Sequence, residues 1–315
     1  MSDIKLFRLE QKNSDVVELT SQFAKLERDL QQLVEKHMET FLGVRFLASE
    51  YTTSNKGRID SLGLDENGCP VIIEYKRHSN ENVINQGLFY LNWLLDHKAE
   101  FQLLVMKVLG NDIADKLEWN GARLICIASD FNKYDEHAIQ LIDRNIELMR
   151  YKYFSDDLLL FELVNAQTSY GGLSKSKDIN HVTNESKVTS NKKQNDEWTH
   201  YKAKAQASDE LMKVYDAICG YCENLGDDVI RKELKLYTAF KRIKNFISIC
   251  IDPQKDARVV VWLKVDPSTV KIEKNFSRDV TNIGHWGTGD LEVLIRTLED
   301  IEKAKPLIQL SFEGN

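Results

Sequence analysis

Asp60, Glu74 and Lys76 are the residues of this chain best suited by type and spacing to do chemistry. Gly57 to Leu64 and Cys69 to Lys76 alternate as two strands around Asp65-Glu66-Asn67-Gly68, and Asn-Gly between alternating strands favours a hairpin. A four-residue loop at 65 to 68 sets Leu64 against Cys69 and Asp60 opposite Ile73, beside Glu74. Glu74 and Lys76 are two apart, so their side chains share one face of their strand. Two carboxylates and an ammonium group thereby converge. Val71-Ile72-Ile73, just before Glu74, is apolar enough for a buried central strand, where an unpaired carboxylate is destabilising. A divalent cation removes that difficulty, because Mg²⁺ or Mn²⁺ takes hard oxygen ligands. Such an ion can hold a phosphate and lower the pKa of a water, while Lys76 positions that water or offsets developing charge. The same three side chains could instead form a structural salt-bridge cluster.

Other segments must hold these residues in place. Phe23, Leu26, Leu30, Leu33, Val34 and Met38 recur at helical spacing and predict an amphipathic helix up to about Phe41. A second helix is expected from about Asn82 to Lys98, on which Gln86 and Tyr90, four apart, share a face. Gln102 to Val108 and Arg123 to Ser129 read as buried strands. A helix near Glu136 to Asn145 follows, then a strand pair at Glu147 to Phe154 and Leu158 to Val164. Helices mixed with hairpins and buried strands indicate an α/β domain around a mixed sheet.

Arg58-Ile59-Asp60 followed by Ile73-Glu74-Tyr75-Lys76 resembles the signature of the PD-(D/E)xK nuclease superfamily, and in particular its NucS-like and RecB-like domains. The resemblance covers about 21 to 130. Leu26-Glu27-Arg28-Asp29-Leu30 matches the first-helix segment of that group, and Gln86-Gly87-Leu88-Phe89-Tyr90 matches its Gln-x-x-x-Tyr element. Ile59 stands where the superfamily's proline would precede the aspartate. The resemblance implies a restriction-endonuclease-like mixed sheet flanked by helices and a Mg²⁺- or Mn²⁺-dependent endonuclease acting on DNA in repair or in defence. Asp60, Glu74 and Lys76 would be catalytic. Asp60, Glu74, Glu27 and the Tyr75 carbonyl would ligate the metal, with Glu35 as an alternative to Glu27. Gln86 and Tyr90 would orient the DNA backbone; ordinary helix-surface positions are the alternative. Arg58, Arg77 and His78 flank the site and either contact phosphate or form an exposed rim. An inactive nucleic-acid-binding or ligand-sensing adaptor is the competing expectation. Double-strand cutting with one site per chain would call for a homodimer.

The 315 residues suffice for two domains. The expected division is a nuclease-like domain at 1–164, a polar linker at 165–204 and a small α+β domain at 205–315. At 42% hydrophobic and 29% charged the composition is that of a globular protein. No apolar run reaches membrane-spanning length and no signal peptide is evident, so a cytoplasmic protein without membrane contact is expected. The net charge of −7 argues against a protein that coats nucleic acid, although local charge is the better guide. Five cysteines, an odd number in apolar surroundings, fit reduced thiols, including the Cys219-x-x-Cys222 pair.

In the second domain a helix from Ser208 to Leu225, strands at Phe246 to Ile251, Val259 to Val265 and Leu291 to Ile295, and a helix near Leu298 to Lys305 are expected. Ser277-Arg278-Asp279-Val280 and Gly284-His285-Trp286-Gly287-Thr288-Gly289-Asp290 resemble a domain of unknown function that follows nuclease-like domains and has been labelled a predicted transport protein. No transport chemistry is visible in its residues. Arg231 to Lys244 carries six basic residues against one acidic, with Tyr237 and Phe240 interleaved. Lys241 and Arg242 there either contact nucleic acid or form a solvated face. His285 and Trp286 either stack on a base or ligand or anchor a tight turn.

Overall fold

A computed structural model describes residues 4–10, 15–24, 26–77, 83–155, 157–167, 199–285 and 287–314. The first half opens with a separate hairpin, β1 (Leu6–Glu10) and β2 (Asp15–Leu19). Its main sheet has seven strands: β3 (Ser21–Gln22), β4 (Val44–Thr52), β5 (Arg58–Asp65), β6 (Pro70–Lys76), β7 (Arg123–Ala128), β8 (Asn145–Phe154) and β9 (Leu158–Gln167). They lie in the order β3-β8-β7-β6-β5-β4, with β9 also on β8. β6, β7 and β8 are mutually parallel and the remaining pairings antiparallel, so the sheet is mixed as expected. The helices are α1 (Glu27–Lys36), α2 (Met38–Leu42), α3 (Val83–Asp96), α4 (Lys98–Leu109), α5 (Asn111–Ala114) and α6 (Lys133–Gln140).

β6 explains the layering. Pro70 to Tyr75 are all buried, which a strand achieves only when both faces are covered. Leu30 and Val34 of α1 pack with Val71, Ile73 and Tyr75 on one face. Leu91 and Leu94 of α3 pack with Ile72, Leu124 and Cys126 on the other.

The second half has α7 (His200–Gln206), α8 (Asp209–Glu223) and a six-stranded antiparallel sheet. Its strands are β10 (Ile230–Glu233), β11 (Thr238–Lys241), β12 (Asn245–Asp252), β13 (Arg258–Leu263), β14 (Ser277–Asp279) and β15 (Leu291–Ile295), in the order β10-β11-β12-β13-β15-β14. α9 (Leu298–Glu313) ends the fold, eight residues longer than the expected Lys305 and running through Pro306. α8 and α9 pack with Ile247, Ile249, Val259 and Val261 on one sheet face.

Several expectations need correction. The first helix is interrupted at His37, and Phe23 and Leu26 precede it as exposed residues. Gln102 to Val108 is part of helix α4: Phe101 and Val105, four apart, are its buried positions, which is helical and not strand spacing. The helix expected near Glu136 begins earlier, at Lys133, where Asn132 and Asp135 form a reciprocal cap. Strand β9 continues to Gln167 and α7 begins at His200, both inside the expected linker; 168–198 lie outside the described residues.

The two halves meet at the tip of the β5–β6 hairpin. Lys264 pairs with Glu66, and Asn245 N donates to Glu66 Oε2 at 3.1 Å. Tyr237 OH and Asn245 Nδ2 donate to Asn67 Oδ1 at 3.0 and 2.6 Å. Beneath the tip Arg123 pairs with both Asp65 and Glu147, and Lys241 Nζ donates to Glu147 Oε1 at 2.8 Å. Lys241, expected to face nucleic acid, is 1% exposed, so its charge serves the junction and not a surface. Lys232 of the same basic stretch is buried there too. Burial alone would raise the Glu147 pKa, but Lys241 and Arg123 beside it hold it down at about 2. Removing one partner from a buried ion pair strands the other charge. Lys241→Met should therefore lower the unfolding free energy by about 3 kcal/mol in urea titration. A loss below about 0.5 kcal/mol would show that Arg123 alone satisfies Glu147.

Candidate metal centre

The hairpin register differs from expectation by one residue. Ser61 pairs with Ile73 and Leu64 with Pro70, which sets Asp60 across from Glu74. The turn is the cause. Asp65 Oδ1 accepts from the N–H groups of Asn67 and Cys69, each at 2.9 Å, and Asp65 N donates to Cys69 O at 2.9 Å. The loop thus closes one step earlier, on three residues, with Gly68 in the left-handed region at φ +74°.

This register joins the two carboxylates more closely than the expected one. Asp60 N donates to Glu74 Oε1 at 3.2 Å, and Tyr75 N donates to Asp60 Oδ2 at 3.1 Å. Glu74 is fully buried, and its Oε2 has no hydrogen-bond partner among the described residues. Burial, and then the adjacent Asp60 charge, push the Glu74 pKa up to about 9. Burial also raises Asp60, against the opposing pull of the Tyr75 N–H and Lys76.

Lys76 lies on the Glu74 face of β6, with its Nζ 3.4 Å from Glu27 Oε1. Glu27 Oε2 accepts from Arg77 N at 3.0 Å, so the start of α1 is tied to the end of β6. Glu35 is elsewhere: it accepts from Ser61 Oγ at 2.6 Å, on the opposite face of the hairpin. The Tyr75 ring also points to that face, its hydroxyl 3.3 Å from Ser61 Oγ. Tyr90 OH accepts from Arg58 N at 3.2 Å and from Gln86 Nε2 at 3.5 Å. Tyr90 is buried and fastens α3 to the start of β5, whereas Gln86 is half-buried. Arg58 is exposed and pairs with Glu50 at 3.2 Å, and Arg77 is exposed at the end of β6.

Arg242 and His285 find their partners within the second half. Arg242 Nε pairs with Asp228 at 2.7 Å. The His285 ring stacks on Trp262, with centroids 5.5 Å apart. His78 and Trp286 lie outside the described residues. Cys219 and Cys222 are free, buried thiols. Among the described residues no three His, Cys, Asp or Glu side chains already stand in an ion-holding group. A divalent ion nonetheless fits the chemistry of the Asp60–Glu74 pair, because it supplies what Glu74 Oε2 lacks and offsets the repulsion between the carboxylates.

Sequence reasoning missed Gln31. Its Nε2 donates to Asp60 O at 3.0 Å from a position that is 7% exposed. Glu27, Gln31 and Glu35 recur every four residues on α1, a polar stripe that would have revealed it.

Fold and site together define a two-part protein: a mixed α/β domain in which a buried glutamate meets a half-buried aspartate beside a lysine, joined to an α+β domain. Its first half lies over a sheet flanked by helices, and no helix among the described residues is long and apolar enough to cross a membrane. The chain belongs to one family with a Haemophilus influenzae protein described as uncharacterized, to which it is 30% identical over 96% of its own length and 98% of the relative's. Residues 180–315 match the family model of a domain of unknown function, DUF5655. Among solved structures, a repair endonuclease from Pyrococcus abyssi is 18% identical over 43% of this chain and 50% of that chain, with a TM-score of 0.29. An EndoMS–double-stranded DNA complex is 16% identical over 46% of this chain and 65% of that one, with a TM-score of 0.25.

An uncompensated carboxylate at Glu74 makes a pH-dependent prediction. Its folded pKa of about 9 lies above the ordinary 4.5, so the folded state keeps a proton that the unfolded state releases. Metal-free stability should therefore fall as pH rises between those values. In EDTA, Glu74→Gln should raise the thermal midpoint over wild type, and the gain should grow from pH 5 to pH 9. Parallel curves for the two proteins would contradict the assignment.

Proposed function

We propose that the first half of this protein is a Mg²⁺- or Mn²⁺-dependent nuclease that hydrolyses phosphodiester bonds of DNA. The observation that carries the reading is the buried, unpartnered Glu74 Oε2 beside Asp60, with Lys76 on the same strand face. Asp60 and Glu74 would hold the cation, with the Tyr75 carbonyl and Glu27 completing its surroundings. A bound divalent ion supplies Lewis acidity to the phosphate and lowers the pKa of a water.

The chain's own residues have distinct tasks. The Tyr75 N–H orients the Asp60 carboxylate, and the Asp60 N–H orients Glu74. Glu27 holds the Lys76 ammonium near the site, where that charge offsets the negative charge that grows on the phosphate oxygens. Tyr90 braces Arg58, whose exposed guanidinium, with Arg77 and Gln86, borders the site where a DNA backbone would pass. Arg242, half-exposed on the second half, could add a further phosphate contact. Cutting both strands from one site per chain would require two chains, hence a homodimer. Repair or defence against foreign DNA is the accompanying role.

The test is incubation of plasmid, branched and single-stranded DNA with the full chain in Mg²⁺ or Mn²⁺. Wild type should cut at least one substrate, EDTA should abolish cutting, and Lys76→Ala should lower the rate by about 100-fold or more. DNA that is bound but left intact under every condition would favour an inactive nucleic-acid-binding protein.

A further inference from the structure

Asp60 departs from the hydrogen-bond ladder of its own sheet. The β4–β5 register steps from Ser61–Ser49 to Ile59–Tyr51 without an Asp60 pair, and the β5–β6 register ends one residue short of it, at Ser61–Ile73. Across from it on β4, Glu50 adopts the left-handed region at φ +47°. An irregular position in a central strand leaves main-chain groups that need partners from outside the ladder.

Gln31 supplies one. Its side-chain Nε2 donates to Asp60 O at 3.0 Å and to Glu35 Oε1 at 3.0 Å, with Ser49 Oγ at 3.4 Å. A carbonyl and a carboxylate are both acceptors, so the amide nitrogen must face them. The helix turn before Gln31 carries Glu27, which reaches Lys76 and Arg77 N. The turn after it carries Glu35, which accepts from Ser61 Oγ, the residue next to Asp60. One helix face thus holds Lys76, Asp60 and Ser61 at three successive turns.

We infer that Gln31 is a positioning residue for the metal centre: by holding the Asp60 carbonyl outside the ladder, it sets where the Asp60 carboxylate points relative to Glu74. The inference rests on the proposed metal-dependent reading. The Tyr75 N–H fixes one oxygen of the Asp60 carboxylate, and Gln31 fixes the peptide from which that side chain springs. Groups that orient a metal ligand commonly govern affinity by one to two orders of magnitude.

The experiment measures Mn²⁺ affinity of the full chain by titration calorimetry, together with the thermal midpoint. Gln31→Met keeps the length of the side chain and removes its donor. Val34→Ala, one turn on and fully buried, removes packing without touching Asp60. Gln31→Met should weaken Mn²⁺ binding about tenfold or more, while Val34→Ala should lower the midpoint and leave affinity within about twofold of wild type. Wild-type affinity in Gln31→Met would overturn the inference alone. Equal loss of affinity in both variants would overturn it as well, since general damage to α1 would then suffice. Failure of the wild type to bind Mn²⁺ at all would overturn the metal-dependent reading and this inference with it.

Discussion

A carboxylate in the middle of a buried strand is the constraint around which the first half is organised. Glu74 sits in β6 with apolar residues before it, covered by helices on both faces. Such a group is tolerated only if it is neutral, paired or bound to a cation. Among the described residues one of its oxygens is satisfied, by the Asp60 N–H, and the other has no partner. A fold selected for stability alone would be better served by an isoleucine. Around this residue stand the register that sets Asp60 across from it, the helix that brings Glu27 to Lys76, and the tyrosine that ties α3 to the start of β5.

The two faces of the hairpin divide the work. Glu74 and Lys76 look toward one layer, while Ser61 and the Tyr75 ring look toward the other and form a polar seam with Glu35. Polar groups behind the carboxylate pair cost less when each finds a partner, and here the shortest contact is the one to Glu35 at 2.6 Å. Ser61, Tyr75 and Glu35 therefore brace the hairpin from the face opposite Glu74 and Lys76.

The carboxylates, the lysine and their hairpin were legible because they lie close in sequence and strand alternation is a local property. The register was missed by one residue because Asp65 acts as a turn cap, which its position beside Glu66 and Asn67 does not announce. Helix α4 reads as a strand in sequence because Leu103, Leu104, Val105 and Met106 form an apolar run, in which Leu103 proves to be exposed. The Arg231 to Lys244 stretch misled for another reason. Charge along a chain says nothing of what stands across from it, and Lys241 finds Glu147, 94 residues earlier. Gln31 escaped notice because its partner is a main-chain carbonyl, which every residue has, and the polar stripe it forms with Glu27 and Glu35 was its one signal in the sequence.

The junction at the hairpin tip has a bearing on how separable the two halves are. Asp65, Arg123 and Glu147 come from the first half, and Lys232 and Lys241 from the second, all of them buried. The same β-hairpin ends in Asp60 and Glu74 at one extremity and in Glu66 and Asn67, gripped by the partner domain, at the other. A boundary drawn in the amino-acid sequence is thus not a boundary in cohesion. Excision of either half would expose these paired charges to water, so recombination that exchanged one half would have to carry the matching face of the other.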